Sequence, residues 1–128
     1  MTGVWLFLAV CAAGAVGAVA RVVLESAVGS RWYDVPIAIP LANIAGSALI
    51  GLLAGAALFH GSPGTVTSVA GTGFCGGFTT FSTAMVHAVR LIEDGRTRAA
   101  AVSVAGTAIL SVGACALGLA VMSSVFLS

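Results

Sequence analysis

Four long apolar runs separated by short polar connections account for nearly the whole chain: Gly3–Ser26, Pro36–Phe59, Val66–Leu91 and Ala99–Leu127. About 20 apolar residues are enough for a helix to cross a bilayer, so each run predicts one crossing. The connections Ala27–Val35, His60–Thr65 and Ile92–Arg98 are short, which makes successive helices antiparallel and the unit compact. No linker, repeat or low-complexity tail is left over, and residues 1–128 read as a single four-helix transmembrane domain. The first run has the apolar character of a secretory leader. No basic residue precedes it, however, and it continues past Arg21, so it reads as a retained first helix.

The polar positions inside the runs carry the information. In the third run, Gly73-Phe74-Cys75-Gly76-Gly77-Phe78-Thr79-Thr80-Phe81-Ser82-Thr83 places two adjacent glycines and four hydroxyls at about membrane depth. Each glycine weakens a helix by roughly 1 kcal/mol relative to alanine, so this helix is predicted to break near its middle, at Gly76-Gly77. Unpaired backbone in hydrocarbon costs several kcal/mol per group, so a break must be buried in protein or bind something. Freed carbonyls suit a hard cation, and half-helix ends carry partial charges suited to ions. A kinked helix with a Gly/Thr packing seam is the alternative.

The other runs carry polar faces. In the second, Asn43, Ser47, Gly51 and Gly55 recur every four residues and share one helix face. The asparagine serves there either as interhelical glue worth about 1 kcal/mol or as part of a pathway. In the fourth, Ser103, Thr107 and Ser111 have the same spacing; they line a polar track or bond back to carbonyls one turn earlier. In the first, Gly14 and Ala18 form a small-residue face for close packing. Arg21, near the end of that run, is expected to snorkel to the interface.

Composition agrees with the pattern. The chain is 59% hydrophobic and 7% charged, where soluble domains carry about a quarter charged residues, and its mean hydropathy is +1.15. A multi-pass protein of the cell membrane is expected, with lipid as its surroundings. The net charge of +1 and five scattered arginines form no basic patch, so no nucleic-acid partner is expected. Cys11, Cys75 and Cys115 all fall in apolar runs without metal-type spacing and read as buried thiols. No nucleophile has a base beside it, so no enzyme is expected. Every acidic residue (Glu25, Asp34, Glu93 and Asp94) lies near or in a connection, whereas proton-coupled exporters need an embedded carboxylate.

Charge also predicts orientation. Arg31, Arg96 and Arg98 lie in two connections on one side, with Arg21 and Arg90 at helix ends facing them, and the other side has no Lys or Arg. The positive-inside rule then puts both termini outside. A chain inserting in both orientations would need a nearly balanced charge count, which this one lacks.

The run GFCGGFTTFST resembles the signature of the CrcB/Fluc fluoride-channel family, approximately G-F-x-G-G-[FL]-T-T-F-S-T-F. The resemblance extends to the other runs, including N-x-x-G-[ST] at Asn43 and a related G-x-x-x-R pattern at Arg21 whose following aromatic is absent here. It implies a subunit of an antiparallel dimer, homodimeric or paired with a paralogue, that passes fluoride passively out of the cytoplasm. The implied fluoride pathway comprises Asn43, Phe81, Ser82, Thr83, Thr107 and Ser111, with Phe81 meeting the ion by its positive ring edge. The resemblance also implies a structural sodium ion at the dimer centre, held by backbone carbonyls of Gly76 and Thr79. Two positions depart from the family pattern: Ala84 replaces a second phenylalanine, and His87 a frequent acidic residue. They keep a non-conducting or assembly subunit of a heterodimeric channel open as an alternative, beside a small four-helix exporter.

Overall fold

The computed structural model describes residues 2–29, 31–32 and 35–127. The first helix, Gly3–Val28, ends where Gly29 turns left-handed at φ 53° and donates its N–H to the Glu25 carbonyl, a terminus that favours glycine. The next connection holds a two-residue antiparallel pairing, Arg31 opposite Pro36 and Trp32 opposite Val35. The hydropathy pattern gives no sign of this pairing, and Asp34 lies outside the described residues. The second helix, Ala38–His60, carries Pro40 in its first turn, where a missing amide proton is tolerated. It closes at Gly61, also left-handed.

The third run forms two half-helices. The first covers 64–78: Gly64–Val66 is α-helical, Thr67–Cys75 widens to i→i+5 bonding, and Gly76–Phe78 returns to α. The chain then becomes extended at Thr79 (φ −82°, ψ 158°), and Ser82–Glu93 forms the second half-helix. After a turn at Gly95 (φ 74°), the fourth helix runs over Thr97–Leu127, 31 residues. The first, second and fourth helices are each long and apolar enough to cross a membrane, and the third crossing is the split one. The chain is an all-α, multi-pass membrane protein.

The break lies near the middle of the third run as the sequence predicts, but at Thr79, two residues past the glycine pair. Packing against the first helix explains the offset. A Cβ on Gly77 would overlap the carbonyl oxygen of Gly14, and one on Gly17 would overlap that of Phe74. The weak helix propensity at Gly77 is offset by this close backbone approach, the usual basis of helix association in lipid. The second and fourth helices pack in the same manner, with Gly51 against the Cys115 carbonyl. Few large side chains are buried. The core is mostly small residues, among them Ala42, Cys75, Ala88 and Ala100, with Ile39 and Leu91. Val4, Phe7, Val19, Val112 and Leu117 face outward, as an apolar solvent permits.

Candidate ion pathway at the helix break

Two side chains from other helices replace the bonds that the broken helix gives up. Asn43, on the second helix, accepts the Thr80 N–H at Oδ1 (2.7 Å) and donates Nδ2 to the Thr80 carbonyl (2.9 Å), imitating a paired peptide. Arg21, on the first helix, donates Nη1 to the Thr79 carbonyl at 3.1 Å, while its Nε lies 3.9 Å from Glu25 Oε1. Sequence reasoning expects Arg21 to reach for the interface; it turns toward the break instead, where an unpartnered carbonyl in lipid would be costly.

Hydroxyls complete the break. Thr79 Oγ1 donates to the Cys75 carbonyl (2.9 Å), which also accepts the Thr79 N–H. Thr80, a buried polar residue, donates Oγ1 to Thr83 Oγ1 (3.0 Å) and accepts the Thr83 N–H (3.3 Å). The latter bond satisfies one first-turn donor of the second half-helix. Among the described residues, the N–H groups of Phe81 and Ser82 meet no backbone acceptor. They stand at the positive end of the 12-residue half-helix Ser82–Glu93.

A cleft of about 320 Å³ opens beside the break. The second helix contributes Asn43 and Ser47, the break Thr79 to Phe81, the second half-helix Ala84 and His87, and the fourth helix Ser103, Thr107 and Ser111. Of the expected pathway residues, Asn43, Phe81, Thr107 and Ser111 thus share one cleft. Ser82 and Thr83 do not line it. Ser82 is exposed, its Oγ 3.5 Å from Thr80 Oγ1, and Thr83 is occupied with Thr80. Phe81 is 78% exposed, so its ring is free to meet an ion or a second subunit. Ser111 Oγ is buried without a hydrogen-bond partner, which makes it a donor in reserve. Both departures from the family pattern, Ala84 and His87, lie on the cleft wall. Ser47 and Ser103 belong to it as well, and their four-residue spacing from Asn43 and Thr107 was the available signal. Among the described residues no carboxylate, Lys or Arg lines the cleft, so what it offers an ion is hydroxyl and amide donors together with the His87 imidazole.

The carbonyls freed at the break suit a hard cation in their chemistry. Thr80 gives its N–H to Asn43, so no backbone N–H among the described residues closes onto the Gly76 carbonyl. Gly76 is exposed, with nothing within 4 Å of where a Cβ would stand, and its face is open to a second chain. The Thr79 carbonyl already accepts one hydrogen bond from Arg21 and keeps a second lone pair. Grouped His, Cys, Asp or Glu ligands are absent among the described residues, so any cation here would rely on backbone oxygens.

The family model described as "CrcB-like protein, Camphor Resistance (CrcB)" matches residues 8–119. A "Fluoride-specific ion channel FluC 2" from Cutibacterium acnes is 46% identical over 127 residues, covering 98% of this chain and 100% of its own. A "Fluoride-specific ion channel FluC 1" from Leifsonia xyli is 46% identical over 116 residues, covering 88% of this chain and 82% of its own. A further FluC 2, from Natronomonas pharaonis, is 46% identical over 113 residues, covering 88% of this chain and 90% of its own. With a match spanning nearly all of its helical core, this chain belongs to the CrcB family.

Proposed function

We propose that the chain is a subunit of a fluoride-selective channel that lets fluoride leave the cytoplasm passively. The observation that carries this reading is the cleft at the break, where Asn43, Thr107, Ser111 and the Phe81 ring stand together without a carboxylate. Fluoride is small, hard and strongly hydrated, so a pore must replace its water with donors. Hydroxyls and an amide supply them, and a phenylalanine edge adds positive quadrupole. Ser82 and Thr83 contribute through the N-terminal turn of the second half-helix rather than through the cleft wall. A proton-coupled exporter is disfavoured because none of the described residues lining the cleft is acidic. The chain acts as a channel and not as an enzyme in this reading.

The working unit is an antiparallel dimer. Two exposed Gly76 faces brought together would offer carbonyls of Gly76 and Thr79 from each copy to one sodium ion, which would supply positive charge to hold the two breaks. With Arg21 turned into the break, four arginines on one side and none on the other favour a partner of opposite bias over a second identical chain. Relatives numbered 1 and 2 support such pairing. Ala84, which brings no aromatic edge to the cleft, fits a subunit whose partner contributes the better-lined path.

Reconstitution tests the reading. Liposomes holding the assembled channel should release fluoride rapidly and chloride at least a hundredfold more slowly, with no dependence on a proton gradient. Equal fluoride and chloride flux, or proton-driven uptake of organic cations, would refute it.

A further inference from the structure

We propose that Arg21 sets the charge of the cation site at the break and thereby restricts it to monovalent ions. This rests on the carbonyl cation site argued above. The Thr79 oxygen assigned to that cation is the same one that accepts Nη1 of Arg21 at 3.1 Å. A cation taking the second lone pair of this oxygen shares it with a full positive charge. Arg21 is half-buried, its side chain 24% exposed, so water screens that charge only partly. For a divalent ion the repulsion and the pull of the carbonyls both double, while the cost of taking the ion out of water rises about fourfold by Born scaling, and a neutral carbonyl set weakened by Arg21 has no carboxylate with which to offset it. Glu25 tempers the effect, its Oε1 lying 3.9 Å from Arg21 Nε one helical turn on. The guanidinium therefore has two functions: it holds the Thr79 peptide in its extended orientation, and it weakens the site enough to exclude divalent ions. As it touches the carbonyl and not the permeating ion, Arg21 is a positioning residue.

The two halves of the pair make opposite predictions, which a merely structural role does not. Arg21→Gln keeps a donor for the Thr79 carbonyl and removes the charge. Glu25→Gln leaves the guanidinium uncompensated. The assembled channel is unfolded thermally across a sodium chloride series, with N-methylglucamine chloride as the replacement salt, and then across calcium chloride. The sodium concentration giving half of the stabilisation should fall about tenfold in Arg21→Gln and rise about threefold in Glu25→Gln, as expected for charges a few ångströms apart in a partly screened site. Calcium should stabilise Arg21→Gln and leave the wild type unchanged. Arg21→Lys, which keeps charge and donor, should stay near the wild type, and if Arg21→Gln does not fold, a Glu25→Gln that shows no rise overturns the inference. If the wild type responds to sodium but Arg21→Gln and Glu25→Gln match it or shift the same way, the inference about Arg21 falls and the cation site stands. If the wild type does not respond to sodium, both fall.

Discussion

Replacing Asn43 with alanine tests how the break is held. The side chain makes two hydrogen bonds to one peptide, 2.7 Å from the Thr80 N–H and 2.9 Å to the Thr80 carbonyl. Removing it leaves both backbone groups of a buried residue without partners. A buried group left unsatisfied costs about 1–3 kcal/mol, so the pair amounts to roughly 2–6 kcal/mol, and the bilayer core offers no water to make up the loss. In a chain of this size that corresponds to a fall of about 10 °C in unfolding temperature. Tryptophan fluorescence of the purified channel during heating reads the change, and a fluoride electrode reads efflux from liposomes. Asn43→Ala should lose both stability and flux. Asn43→Asp keeps the acceptor for the Thr80 N–H but sets an oxygen against the Thr80 carbonyl, so it should be destabilised as well. A residue that served only as a donor to the permeating ion would lose flux without losing stability. If Asn43→Ala slows efflux but unfolds within about 2 °C of the wild type, the two-point clamp is refuted and Asn43 is a pore-lining donor alone.

Four further substitutions probe other parts of the molecule. Ser111→Ala removes a buried hydroxyl that has no partner, so it should leave the unfolding temperature unchanged or slightly raised while slowing fluoride efflux severalfold; a marked loss of stability would refute the orphan assignment. Gly77→Val drives a side chain into the Gly14 carbonyl and should separate the first helix from the break, costing about 3 kcal/mol or more, seen as loss of monodisperse protein on gel filtration. For topology, maleimide labelling of cells expressing this chain alone should reach Ser62→Cys from outside and leave Gly95→Cys protected, and equal labelling of both would restore dual topology and the homodimer.

The helices were legible because apolar runs of membrane length leave little choice of structure. The break was legible in kind: glycines and hydroxyls at membrane depth are poor helix material. Its position was not, because propensity treats Gly76 and Gly77 alike while packing separates them. Gly77 is pressed against the first helix and Gly76 faces open space, a difference that depends on a neighbour 63 residues earlier in the chain. Arg21 was misread for a related reason. Snorkelling is the default for a long cation near a helix end, and only the fold reveals a carbonyl within its reach. The pairing in the first connection, Arg31–Trp32 with Val35–Pro36, is too short for any periodicity to announce it.

The distribution of partners around the break explains how it can be both stable and available to ions. Carbonyl oxygens of Thr79 and Thr80 are taken by Arg21 and Asn43, and the Phe81 carbonyl by the Met85 N–H. Among the described residues, groups left without backbone partners fall on either side of these anchors, the Gly76 carbonyl among those before the break and the N–H groups of Phe81 and Ser82 after it. One side therefore presents oxygen and the other presents hydrogen, at the two half-helix ends where the partial charges already have those signs. A cation is suited to the first and an anion to the second. The short non-helical stretch between the half-helices, extended at Thr79, thus gives opposite electrostatic character to adjacent surfaces, and the anchoring side chains keep these surfaces apart by fixing the peptides between them. Loosening an anchor would let the orphaned groups pair with one another, which would close the break and remove both kinds of site together.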